Sequence, residues 1–390
     1  MKSGRSRPRT NTLSSTMAVE LSYLFRHAVI RDAAYDLQLP SERGELHEAM
    51  LDILGLPDSD ISDAVLEELA DHAHSAAQCF LESDNHRSRR LYQIESALLQ
   101  KLMPRIFRRS FNRADHRFFR RLCENREAEP RFRIEAHVRL AQVLQERREE
   151  GVSELLDSAA NLAEDVGDKG QLARVKNAQA AYACGKGDRE NADKLYGESL
   201  KLCGLLGDFE GEATVYANWA IAKGRVGDNE LARNYYARAL EAARKADDEH
   251  SIGRILGNWA PDLDAMGESE AAHRMYLEAI GIADRLGDER GSASWRIGLA
   301  RMSCKKGDHA TALQLLTRAA EITSGFGLPR IHQIALEELI EALDAAGQAE
   351  DAIATCVEAV NYARSIGDAN GVSDAEDKLE ELRAQGQGSE

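Results

Sequence analysis

From about residue 127 onward, apolar residues return at a fixed step of forty positions. Ala180, Ala220, Ala260 and Ala300 form one series. Ala192, Ala232, Ala272, Ala312 and Ala352 form a second. A bulkier series, Tyr196, Tyr236, Tyr276 and Leu316, keeps the same step, as do Ala239, Ala279, Ala319 and Ala359. Small residues let two helices approach closely, and the bulkier ones fill the space beside them. The polar punctuation has half that period. Gly stands at 167, 187, 207, 227, 267, 287, 307, 327, 347 and 367, with Asp247 in the single gap, and Asp follows most of these glycines. Gly accepts the left-handed conformation just past a helix end. Asp beside it suits the N-cap of the next helix. The pattern predicts helices of under twenty residues joined by tight turns, two helices to a repeat. One such pair cannot bury its apolar face alone, so stability must come from stacking.

Five clear repeats are expected at 167–206, 207–246, 247–286, 287–326 and 327–366. A worn one precedes them at 127–166, with Leu140, Ala141, Leu156 and Ala159 in register but no Gly in its internal turn. A Glu-rich helix near 371–384 would cap the open end. Pro261 falls inside a predicted helix, where it should kink the helix and bend the array. Upstream, 18–126 reads as an irregular helical region and 1–17 as a disordered basic tail. The predicted domains are therefore 1–17, 18–126 and 127–384.

Composition narrows the function. The chain has 390 residues, 43% of them hydrophobic, which is ample for a folded core, and it is too long for one compact core of ordinary size. Its net charge is −16, with 19 Lys and Arg against 18 Asp and Glu in residues 1–126, and 31 against 48 in the rest. An acidic solenoid is a poor general binder of nucleic acid. No apolar run is long enough to span a membrane, and no secretory h-region opens the chain. Six cysteines lie far apart with no C-x-x-C pair, which points to reduced thiols in the cytoplasm and gives no zinc motif. His72 and His74, two apart on a helix, should face different sides and hold no metal together. No nucleophile, P-loop or kinase motif occurs. The chain is expected to be neither an enzyme nor a holder of any cofactor or metal.

The forty-residue pattern resembles the tetratricopeptide repeats of the longer-helix type found in kinesin light chains and the adaptor LGN. The motif is a bulky-plus-small pair in the first helix (Trp219-Ala220, Trp259-Ala260, Leu299-Ala300), then Gly-Asp, then Ala232, Tyr236 and Ala239 with their equivalents. The last copy departs from it, with Ile340 at the small place and Cys356 at the aromatic one. The resemblance implies an all-α fold, a tetratricopeptide-type right-handed α-solenoid with an irregular helical N-terminal domain. It also implies a concave groove, lined by first helices, that holds a peptide or partner protein. Asn218 and Asn258 match the place where long-helix members carry an amide that bonds ligand main chain. An amide supplies both donor and acceptor. Arg174, Asn177, Arg254 and Arg301 are expected on the same side, with Arg suited to a peptide carboxylate. The series is incomplete, since Ala178, Gly298 and Glu338 occupy the same place in other repeats.

The stretch from Tyr23 through Tyr35 to His47, including Phe25, Arg26, His27, Arg31, Asp32 and Arg43, is similar to the segment that follows the nucleotide-binding module in bacterial STAND signalling NTPases. That likeness implies a signalling role, either as a free scaffold or as the C-terminal sensor arm of a larger STAND NTPase or serine/threonine kinase. Residues 86–126 carry 12 Lys and Arg against 3 Asp and Glu, with Phe107, Phe111, Phe118 and Phe119 among them. Basic residues interleaved with aromatics can bind single-stranded nucleic acid, as in a transcriptional regulator. The four-residue spacing of Phe107 with Phe111 and of Phe118 with Leu122 favours an amphipathic helix with a basic outer face instead.

Overall fold

In a computed structural model of the protein, the described residues are 35, 37–54, 62–108 and 115–387, and they hold seventeen helices and no strand. The expected tail 1–17, most of the STAND-like stretch (including His27), and Phe111 lie outside them. Two compact units divide the chain: residues 1–105 with 125–128, and residues 106–124 with 129–390.

In the first unit, α1 (Pro40–Leu54) packs on α2 (Asp63–Cys79), and α3 (Asn85–Arg108) begins in the same unit. Ser88 on α3 donates to the Ala77 carbonyl at 2.8 Å. His72 and His74 do face different sides of α2. His72 meets His47, Nδ1 to Nδ1 at 2.8 Å, and His47 in turn meets the Tyr35 hydroxyl. His74 meets the buried Glu95, which also accepts from Asn125 at 3.2 Å. A buried carboxylate needs such partners.

The second unit opens with α4 (Asp115–Glu124), whose Phe118, Phe119 and Leu122 are buried while Arg117 and Arg120 are exposed. That is the amphipathic helix the spacing predicts. Antiparallel pairs follow: α5 (Pro130–Glu146) with α6 (Val152–Asp165), α7 (Lys169–Lys186) with α8 (Arg189–Leu206), α9 (Phe209–Arg225) with α10 (Asn229–Lys245), α11 (Glu249–Ala265) with α12 (Ser269–Leu286), α13 (Glu289–Lys305) with α14 (His309–Gly325), and α15 (Pro329–Ala345) with α16 (Ala349–Ile366). Helix α17 (Ala369–Gln387) closes the series, longer at both ends than expected, with Leu382 inside and Glu376 paired to Arg364.

The turns work as the sequence implies. Each of the ten punctuating glycines has positive φ, from 62° to 83°. The following Asp caps the next helix through its side chain, as when Asp168 accepts from the Gln171 amide at 3.0 Å and Asp288 from that of Gly291 at 3.0 Å. Asp247 adopts the left-handed conformation itself, with φ 53°, and Asp248 then caps Ser251. A side chain in that region costs free energy that Gly avoids. Asp247→Gly should therefore stabilise the chain by about 0.5–1 kcal/mol, after allowing for the extra unfolded-state entropy of Gly. Thermal melting tests this; a lower midpoint would refute it.

The small residues pack as expected. Ala180, Ala220, Ala260 and Ala300 are fully buried, as are Ala192, Ala272, Ala312 and Ala352. Ser199 takes the place of Ala239 one repeat earlier and remains buried by donating to the Ala173 carbonyl at 2.7 Å. The departures in the last copy are also buried: Ile340 and Cys356 share a core with Leu336, Leu343 and Ala352. Pro261 does not break α11, which runs on to Ala265, and its ring lies on the exposed side.

Candidate functional site

The first helices α5, α7, α9, α11, α13 and α15 touch one another in an unbroken series, and each second helix packs on the first helices beside it. The first helices thus form a continuous layer. Along α5, α7 and α9 this layer holds a groove with two compartments, of about 400 and about 600 Å³. Both are lined by Arg139, Gln142, Ala181 and Asn218, so the two meet there. The first draws on the opening halves of the helices, including Gln171, Arg174, Asp208 and Glu210. The second draws on the closing halves, including Gln145, Cys184 and Arg225.

Three of the expected residues come together in this groove. Arg174 and Asn177 project from α7 and Asn218 from α9. Asn218 donates to the Asn177 side-chain oxygen at 3.2 Å, which fixes both amides. Arg254 reaches the groove indirectly, through a 3.3 Å bond to the Thr214 hydroxyl on its wall. Asn258 and Arg301 do not line it. The Asn258 carbonyl accepts from the Tyr236 hydroxyl at 3.2 Å, and Arg301 forms an ion pair with Glu338 at 2.7 Å.

Counting by forties misses the wall contributed by α5. Lys169, the first residue of α7, follows Pro130, the first of α5, by thirty-nine positions, whereas later first helices start at steps of forty. The turn after α5 differs, with Arg148 at φ 57° in the place of the usual Gly and Gly151 at φ 93° before α6. Arg139 and Gln142 therefore occupy the places of Ala178 and Ala181. Pro130, a strong first-turn residue, was the available signal for that register.

Electrostatics in the groove are uneven. Burial pushes the Arg139 guanidinium below its ordinary pKa, with Glu135 at 3.5 Å opposing and Arg174 adding repulsion. Burial likewise lowers Arg254, with Asp248 opposing. The two thiols on the wall go the other way: burial raises Cys184, and burial with the nearby Asp208 pushes Cys203 up to about 11. Both are protonated at neutral pH and so are poor nucleophiles. Among the described residues no cluster of His, Cys, Asp and Glu is arranged to hold a metal ion. None of the described helices is long and apolar enough to cross a membrane.

The tetratricopeptide-repeat family profile matches residues 211–285, the stretch from the first turn of α9 to the end of α12. No curated protein sequence matches the chain. Among solved structures, a Signal Transduction ATPase with Numerous Domains (STAND) protein with a tetratricopeptide repeat sensor, from Pyrococcus horikoshii, is 18% identical with a TM-score of 0.55. The match covers 83% of this chain and 52% of that one, so this chain spans about half its length. Yeast Tom70 is 15% identical with a TM-score of 0.59, over 97% of this chain and 76% of its own. At these identities the likeness is one of fold. Together with the left-handed turns and the forty-residue core, it identifies the chain as carrying tetratricopeptide repeats in an all-α solenoid.

Proposed function

We propose that this protein is a non-catalytic interaction scaffold in signalling, which takes a peptide or an extended segment of a partner protein in the groove along α5, α7 and α9. The observation that carries this reading is the amide pair. With one Asn218 N–H donated to the Asn177 oxygen, the Asn218 side-chain oxygen and the Asn177 amino group remain for a ligand. Those are the two groups that one unit of extended main chain requires. Gln142 and Gln171 add further amides on the same wall. Asn258, forty residues after Asn218, would extend the contact toward α11, with Arg254 beside it and Arg301 farther along.

The test is the double variant Asn177→Ala, Asn218→Ala, titrated with a peptide selected on the native protein from a displayed random library. Affinity should fall by about 1–3 kcal/mol while the helical circular dichroism is unchanged. Equal affinity in the folded variant would remove the amide pair from the site.

A second reading is that the chain is the C-terminal sensor arm of a larger STAND NTPase or kinase. It is favoured by the fold likeness to a STAND protein whose sensor is built of tetratricopeptide repeats, and by the resemblance of the stretch from Tyr23 to His47. An immunoblot of native lysate separates the two, since the arm reading requires a species far larger than 390 residues.

A further inference from the structure

The groove is polarised along its length. The first helices run parallel, so their opening turns lie at one end of the groove and their closing turns at the other. At the opening end the lining carries Glu135, Asp208, Glu210 and Asp248, with Arg174 among them. At the closing end it carries Arg225 and Gln145 and no carboxylate, while Arg139 and Gln142 line both compartments and Arg139 is paired with Glu135. Asp208 and Asp248 each hold a backbone amide through one oxygen, at 2.8 and 3.0 Å, and the Ser251 side chain adds a second bond to Asp248. These two caps also answer the positive ends of α9 and α11. Glu210 is additional to the caps, so the opening end keeps acidic character. Arg225 is exposed, and among the described residues no carboxylate is paired with it.

Building on the groove reading above, we propose that the site selects a charge-segregated peptide, with Lys or Arg in one half and Asp or Glu in the other. The basic half lies against Asp208, Glu210 and Asp248, and the acidic half against Arg225, with Arg139 where the two compartments meet. The Asn177–Asn218 pair at the waist holds the main chain between them. Each half then makes charge-assisted hydrogen bonds. The reversed placement sets like charges together, which is how complementary fields fix orientation. Length follows from the helices. Gln171 and Cys184 mark the two ends on α7, and at 1.5 Å per residue they are ~20 Å apart. An extended chain covers that distance with about six residues. The ligand is therefore a short linear segment rather than a folded domain.

The experiment is selection of a displayed random octapeptide library on the full chain, repeated on the Arg225→Glu and Glu210→Lys variants. Both positions are exposed, and circular dichroism checks that each variant folds. The expected result is enrichment of peptides whose basic and acidic residues fall in opposite halves. Synthetic copies should bind Arg225→Glu about five- to ten-fold more weakly and lose affinity as salt rises. Reselection on Arg225→Glu should remove the acidic half, and on Glu210→Lys it should weaken the preference for the basic half. Enriched peptides without charge segregation, or with affinities unmoved by both variants, would overturn this inference and leave the groove reading standing. A library that yields no binder on the native chain would overturn both.

Discussion

Tyr236→Ala is expected to destabilise the solenoid by about 3–5 kcal/mol, the range for deleting a large buried ring. Tyr236 is 1% exposed, and its ring stacks on Trp259 with centroids 5.3 Å apart and planes 13° from parallel. Its hydroxyl donates to the Asn258 carbonyl at 3.2 Å, in the turn of α11 that Pro261 weakens. Pro261 supplies no amide hydrogen to the Gly257 carbonyl, so the adjoining bond from Tyr236 braces that turn from α10. Tyr236→Phe removes only the hydroxyl and should cost about 0.5–1.5 kcal/mol. The damage should be local, because each repeat of a solenoid leans only on its neighbours. Hydrogen exchange checks this: amides of α9 to α12 should lose protection while those of α15 and α16 keep theirs. A loss spread evenly over every repeat would show one cooperative unit instead. A cost below about 1 kcal/mol would contradict the burial of the ring.

Gly257→Val should destabilise the solenoid by about 3 kcal/mol. A Cβ at Gly257 would fall on the Trp295 indole, at Nε1, Cε2 and Cδ1. Trp295 is 7% exposed and belongs to the same core as Tyr236 and Trp259, so it has little room to move. One turn earlier, Gly253 meets Ile282 in the same way, with its Cβ position 3.0 Å from the Ile282 Cγ2 atom. The two glycines leave a flat strip on α11 against which Trp295 and Ile282 lie. Gly281 on α12 is the contrasting case, because nothing stands within 4 Å of where its Cβ would be. Gly281→Ala should stabilise by about 0.5–1 kcal/mol, the helix-propensity gain alone. Urea unfolding of the two variants tests the pair. Similar effects at both sites would mean that α13 does not approach α11 as described.

Those two glycines mark the boundary between what is local and what is not. Both are helix-interior glycines in the sequence, and no spacing distinguishes them. Turns and caps were legible because their physics is confined to a few adjacent residues: a left-handed residue, then a carboxylate three positions before the amide it accepts from. That is why Gly187 with Asp188 could be placed, and why the substitution at Asp247 left the turn intact. The core series of Ala232, Tyr236 and Ala239 was legible for a related reason, since residues three and four apart must share one face of a helix.

The groove needed the tertiary structure. Its α5 wall depends on a register of thirty-nine rather than forty, because the 14-residue α6 more than offsets the longer turn through Arg148 and Gly151. The bond between Asn177 and Asn218 joins residues forty-one apart, and the bond between Arg254 and Thr214 joins residues forty apart. The ion pair between Arg301 and Glu338 joins residues thirty-seven apart. Sequence alone determined which positions on each helix are small, bulky or polar, and where the helices punctuated by Gly stop, because those are properties of a single helix and its ends. Only the stacked structure decided which polar side chains share one groove, because that depends on lateral register and on side-chain partners supplied by other repeats.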